Sequence, residues 1–101
     1  MLVAFSVAPS GGGEDDSVSE AVAAAVRVVR ESGLPHETTS MFTTVEGEWD
    51  EVMDVVKRAT EAVSSRAPRT SLVLKADIRP GRTGQLEHKV RRVEEHLAED
   101  G

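Results

Sequence analysis

Thr43-Thr44-Val45-Glu46-Gly47-Glu48-Trp49-Asp50-Glu51-Val52 changes its pattern in the middle. Before Gly47 the residues are β-branched and extended in character, the signature of a strand. After it, Glu48, Asp50 and Glu51 place acidic groups where the positive end of a helix begins. Val52, Val55, Val56, Ala59 and Val63 then recur at helical spacing, and the pattern fades at Ser64-Ser65. A strand that passes into a helix across one glycine is half of a β-α unit. The segments on either side decide which fold it belongs to.

Upstream, Leu2 to Ala8 reads as a first strand bounded by Pro9, with Val3, Phe5 and Val7 on one side and Leu2, Ala4, Ser6 and Ala8 on the other. Pro9 to Asp16 is a glycine-rich loop. Ser17 with Glu20 three residues on forms a capping box for a helix reaching about Ser32, with Val18, Val22, Ala25, Val26 and Val29 as its apolar stripe. Gly33 is the expected stop. Pro35 to Gly47 is long enough for two short strands turning near Ser40 to Phe42.

Downstream, Pro68 breaks the chain and Arg69 to Arg79 alternates as a strand, with Leu72, Leu74, Ala76 and Ile78 on one face. Pro80-Gly81 closes it. A last helix over Gln85 to Glu99 repeats Leu86, Val90, Val93 and Leu97. The order β-α-β-β-α-β-α predicts an α+β, ferredoxin-like βαββαβ sandwich with an additional C-terminal helix, the first strand lying centrally between the third and fourth. At 101 residues the chain is expected to form a single domain spanning 1–101.

Composition narrows the function classes. The net charge of −6 and pI near 5.0 argue against nucleic acid as a partner. Without cysteine there is no disulfide, thiolate nucleophile or cysteine-ligated metal. His36, His88 and His96 share no metal-ligand spacing, and no nucleophile elbow or paired catalytic acid stands out. Met1 to Ala8 has neither the basic start nor the length of a signal peptide, and no apolar run is long enough for a bilayer, so the expectation is a cytoplasmic protein. An apolar fraction of 39% supplied largely by alanine and valine makes a modest core, which predicts further burial through self-association.

Alternation along the strands places Ser6, Thr44, Glu46, Lys75 and Asp77 together on the sheet face away from the first two helices. That face reads either as a solvated surface carrying ion pairs of small energetic value, or as a partly buried site or subunit interface. Gly11-Gly12-Gly13 lacks a lysine-serine ending and is followed by Glu14-Asp15-Asp16, which opposes an anion. Trp49 reads as a packing anchor at its helix start. The Leu86/Val90/Val93/Leu97 stripe covers four turns, so that the last helix either covers the sheet's outer face or packs on another subunit.

Ser17-Val18-Ser19-Glu20, Thr44-Val45-Glu46-Gly47-Glu48-Trp49-Asp50-Glu51-Val52-Met53 and Lys75-Ala76-Asp77-Ile78-Arg79 resemble the small thiamine-binding protein family over nearly the whole chain. The resemblance implies a ferredoxin-like fold, assembly into dimers or tetramers, and non-enzymatic binding of thiamine or its hydroxymethylpyrimidine part, with no cofactor. On this basis the ligand-binding set is Ser6, Ser10, Ser19, Thr44, Glu46, Lys75 and Asp77. A carboxylate such as Glu46 suits the aminopyrimidine or the thiazolium cation, with Thr44 and Ser6 adding polar contacts. The sequence departs from the family at Ser10 to Gly13, where a Gly-Thr loop is usual, at Phe42, where a small residue is usual, and at Ala21, often aromatic. The alternative is a structural or regulatory homo-oligomer whose open sheet face is only an interface.

Overall fold

In the computed structural model the chain runs β1 (Leu2–Ser10), α1 (Asp15–Glu31), β2 (His36–Thr38), β3 (Thr43–Glu46), α2 (Trp49–Ser64), β4 (Arg69–Asp77) and α3 (Gln85–Asp100). The structure describes residues 1–10, 15–81 and 83–100; the side chains of residues 15–17 and 100 fall outside that description. The glycine run at 11–13 and the side-chain half of the expected Ser17 capping box therefore lie outside the described residues.

The four strands form one antiparallel sheet in the order β2-β3-β1-β4, giving a ferredoxin-like α+β fold with an added C-terminal helix. Val3 pairs with Val45 and Ala76, and Phe5 with Thr43 and Leu74. These residues share the face that α1 and α2 cover. Leu2 pairs with Glu46 and Asp77, and Ala4 with Thr44 and Lys75, on the opposite face.

The core forms where Val3, Phe5, Val7 and Val45 meet Ala21, Ala25 and Val29 of α1 and Val52, Val55, Val56, Ala59 and Val63 of α2. A fully buried valine contributes about 1.5 kcal/mol or more, so the α2 stripe alone outweighs any deficit in valine's helix propensity. That stripe is the one read from the sequence. The stripe of α1 is rotated from the reading: Ala21, Ala24, Ala25 and Val29 are buried, whereas Val18 and Val22 are exposed. The small side chains turn inward because they let α1 pack closely against α2 and the sheet, and valine would hold them apart.

Several boundaries also move. β1 continues through Pro9 to Ser10, because β3 has already ended and Pro9 has a strand on only one side, so its missing N–H costs no ladder bond on the open side. β4 ends at Asp77, which leaves Ile78 outside the strand and exposed. Leu72 is on the helix side as expected, yet it is exposed because β4 is an edge strand beyond the cover of the helices. Trp49 is 55% exposed and does not anchor packing; Glu48, outside the helix, makes the start of α2, with its N–H bound by Glu51 Oε1 at 3.2 Å.

α1 ends as the sequence indicates, with Gly33 at φ 76° in the left-handed region glycine favours. α3 is held at its first turns and its later apolar residues are uncovered: Val90, Val93 and Leu97 are 52%, 59% and 64% exposed. The radius of gyration is 15.4 Å, against about 13 Å for a compact chain of this length. The longest dimension is 49 Å. Among the described residues no helix is long and apolar enough to cross a membrane.

Candidate functional site

Glu46 is the last residue of β3 and is only 7% exposed. A carboxylate buried this deeply needs hydrogen-bond donors. It finds them at the start of α3: Oε2 accepts from the Gln85 N–H at 2.7 Å and Oε1 from the Leu86 N–H at 3.4 Å. These are amides of the first helical turn, which have no partner within the helix. Negative charge there is further favoured by the helix dipole. Gln85 is itself buried; its Nε2 donates to Thr83 O at 3.3 Å, and its Oε1 has no partner among the described residues.

At the neighbouring position across β1, Asp77 is bound by Lys89 of α3 through a hydrogen-bonded ion pair. That bond, followed by the charges of Lys89, Arg79 and Lys75, holds the Asp77 carboxyl below its ordinary value; partial desolvation opposes the shift. Glu46, Leu2 and Asp77 thus form one row across three strands, and α3 is fastened at both ends of it.

Beside this row lies a cleft of about 470 Å³. Glu46, Glu48, Glu51 and Glu87 contribute carboxylates, and Leu34, Pro35 and Leu86 contribute apolar walls. The size falls in the range of small-molecule sites. Among the described residues the Met1 amino group, which donates to Gly47 O at 2.7 Å, is the cation in its lining. Glu87 also faces Arg91 at 3.6 Å, an exposed pair of little energetic weight. Each carboxylate keeps lone pairs beyond those occupied by helix amides, so the cleft can accept hydrogen bonds from, and offset the charge of, an organic cation.

The sequence-derived site residues separate into groups. Glu46 lines the cleft, and Asp77 stands at the far end of its row, committed to Lys89. Thr44, Lys75 and Ser6 share the open face with them, as the register requires, on a surface flanked by Ala4 and Val73. None of these three lines the Glu46 cleft. Ser10 is exposed at the other end of β1, paired with Arg69, and Ser19 is exposed on α1, in the layer on the opposite side of the sheet. The structure does not bring Ser10 or Ser19 to the Glu46 group, because strand length carries the first away and the sheet itself separates the second.

Glu48, Glu51, Glu87, Leu34 and Leu86 were not in the sequence-derived set. Local patterns assign Glu48 and Glu51 to helix starting, and nothing local links Glu46 to a helix 39 residues away.

The profile of the family described as "Thiamine-binding protein" matches residues 3–94. The chain belongs to this family. The UPF0045 protein Mb1933 of Mycobacterium bovis is 57% identical over 98 residues, covering 96% of this chain and 94% of that one. The hypothetical protein MJ1052 of Methanocaldococcus jannaschii has a solved structure that superposes with a TM-score of 0.82 at 31% identity, over 93% of this chain and 95% of its own. A Thermotoga maritima structure, named for a proposed role in thiamine biosynthesis or salvage, gives a TM-score of 0.78 at 32% identity, over 91% of this chain and 96% of its own. The thiamine-binding protein family and the ferredoxin-like fold therefore stand together for this chain.

Proposed function

We propose that the protein binds thiamine, or its hydroxymethylpyrimidine part, without chemical conversion, in the Glu46 cleft. The observation that carries this reading is the combination of size and charge: about 470 Å³, apolar walls, and carboxylates from β3, the start of α2 and α3. The family description supports the ligand class. Thiamine is an organic cation of two aromatic rings joined by a methylene, one of them an aminopyrimidine donor, so it matches a carboxylate-rich, apolar-walled site better than an anion would. Glu46 holds the central place, since its backbone ends β3 and its carboxylate is already fixed by α3. Thr44, Ser6 and Lys75 lie on the adjoining open face, outside this cleft.

A second reading, self-assembly through α3 and the open face into a dimer or tetramer, is favoured by one observation: the exposed Val90, Val93 and Leu97 form a continuous helical stripe. The two readings are compatible. The first is tested by a thermal-shift panel of thiamine, its phosphates and hydroxymethylpyrimidine. A ligand at 100 times its Kd stabilises by about 2.7 kcal/mol, a rise of roughly ten degrees or more in a domain of this size. Thiamine is expected to raise Tm more than its diphosphate, whose charge opposes the cleft. No rise at millimolar thiamine or hydroxymethylpyrimidine overturns the reading.

A further inference from the structure

Among the described residues β2 pairs with β3 alone and so forms one edge of the sheet. Two bonds fix which of its main-chain groups are already used: Glu46 N donates to Pro35 O and Thr39 N donates to Phe42 O, both at 2.9 Å. In an antiparallel ladder, hydrogen-bonded pairs alternate with pairs that make no bond, and a residue's N–H and C=O point to the same side. Pro35, Glu37 and Thr39 therefore turn their main chain to β3, and His36 and Thr38 turn theirs outward. The N–H and C=O of His36 and Thr38 have no partner among the described residues.

This edge is one wall of a groove of about 430 Å³. The other wall is the first half of α3, which Glu46 fastens to the open face of the sheet. Leu86 and Val90 make that wall apolar, and Val90 is 52% exposed. Glu37, Glu87 and Glu94 bring carboxylates to the groove, against the single guanidinium of Arg91. Arg91 faces Glu87 at 3.6 Å, while Glu37 and Glu94 have no cationic partner among the described residues. The His36 Nδ1 lies 2.8 Å from Leu34 O, which holds the ring towards the turn before β2. Leu86 and Glu87 also line the Glu46 cleft, so the groove continues into the carboxylates of Glu46, Glu48 and Glu51.

We propose that this groove docks an extended, basic segment of a partner protein, which adds to the four-stranded sheet beside β2. The outward N–H and C=O groups of His36 and Thr38 pair with its main chain and set its register. Its side chains alternate across the sheet, so every second one meets Leu86 and Val90 and covers apolar surface that α3 leaves open. Lysine or arginine in the segment meets Glu37 and Glu94, and the net charge of −6 reinforces that attraction at longer range. A second copy fits less well. Its β2 would bring two acidic edges together. Its β4, basic through Arg69 and Lys75, would repeat head to tail from sheet to sheet instead of forming a closed pair. The groove needs nothing bound in the Glu46 cleft for this role.

The probe is the peptide Thr-Lys-Val-Arg-Val-Lys-Thr with acetylated and amidated ends, titrated into the full chain at low ionic strength with amide resonances followed by NMR. Saturable shifts are expected at His36 to Thr38 and at Leu86 to Glu94, with slower hydrogen exchange of the His36 and Thr38 amides. Glu37→Lys, at an exposed position, is expected to weaken binding several-fold, and less so as salt is raised. Two peptides N-methylated at alternate residues separate main-chain pairing from charge attraction: one is expected to lose binding and the other to keep it. Equal binding by the two methylated peptides, shifts confined to residues outside the groove, or no saturable shift at millimolar peptide overturns the proposal. Slower exchange of the His36 and Thr38 amides on raising protein concentration without peptide also overturns it, since a second copy then occupies the edge.

Discussion

The Glu46 carboxylate accepts the Gln85 backbone N–H at 2.7 Å, across 39 residues of sequence. A β3 side chain thereby supplies the cap for α3, whose own start contains Gly84 at φ 68° and no capping hydroxyl contact. Glu46→Ala removes an acceptor from buried amides and is expected to cost about 1–2 kcal/mol. Chemical denaturation measures that loss. Hydrogen exchange should accelerate most at Gln85 and Leu86, with the α2 core unchanged.

Asp77 and Lys89 form the second attachment of α3. The Asp77 carboxyl lies below its ordinary value of 3.8, chiefly through the hydrogen bond from Lys89. A depressed acid binds its proton more readily when unfolded, so its contribution is present above that ordinary value and is lost as pH falls through the folded value beneath it. Asp77→Asn is therefore expected to lower Tm at neutral pH, with the difference from wild type closing in strong acid. Equal Tm values at neutral pH contradict this role for the pair.

Gly47 tests the cleft wall. A Cβ at this position would stand 3.1 Å from Val52 Cγ2 and 3.4 Å from Leu34 Cδ1. Its backbone does not lie in the left-handed region, so crowding alone decides the effect. Gly47→Ala is expected to cost about 1 kcal/mol and to displace Leu34 towards the cleft it lines. A thermal-shift comparison should show both a lower Tm and a smaller response to thiamine.

The uncovered stripe on α3 carries its own expectation. Val93→Asp places a carboxylate at its middle without touching the core, because Val93 is 59% exposed. Sedimentation of the wild-type chain is expected to give a dimer or larger species at micromolar concentration, and the variant a smaller one at nearly unchanged monomer stability. A wild-type chain that sediments as a monomer at that concentration contradicts the assembly reading.

Much of this arrangement was legible locally. The alternation of Val3, Phe5 and Val7 placed the core face, and the Val52 to Val63 stripe placed α2. Strand parity alone put Thr44, Glu46, Lys75 and Asp77 on one face. What local pattern did not carry were contacts made at a distance. Val18 and Val22 share helical spacing with Val29, but the close approach of α1 to α2 selects alanines instead. The partner of Glu46 lies on a helix that periodicity ties to no particular strand. Thr38 and Thr43 became a hydroxyl pair only through the β2–β3 register.

Amide chemical shifts recorded during a thiamine titration test whether the Glu46 cleft receives thiamine. The expected result is a saturable set of shifts at Leu34, Glu46 to Glu51 and Gly84 to Glu87, weakened about tenfold in Glu46→Gln and weaker for the diphosphate than for thiamine. Resonances unmoved at millimolar thiamine, or a saturable set that leaves these residues untouched, would contradict it.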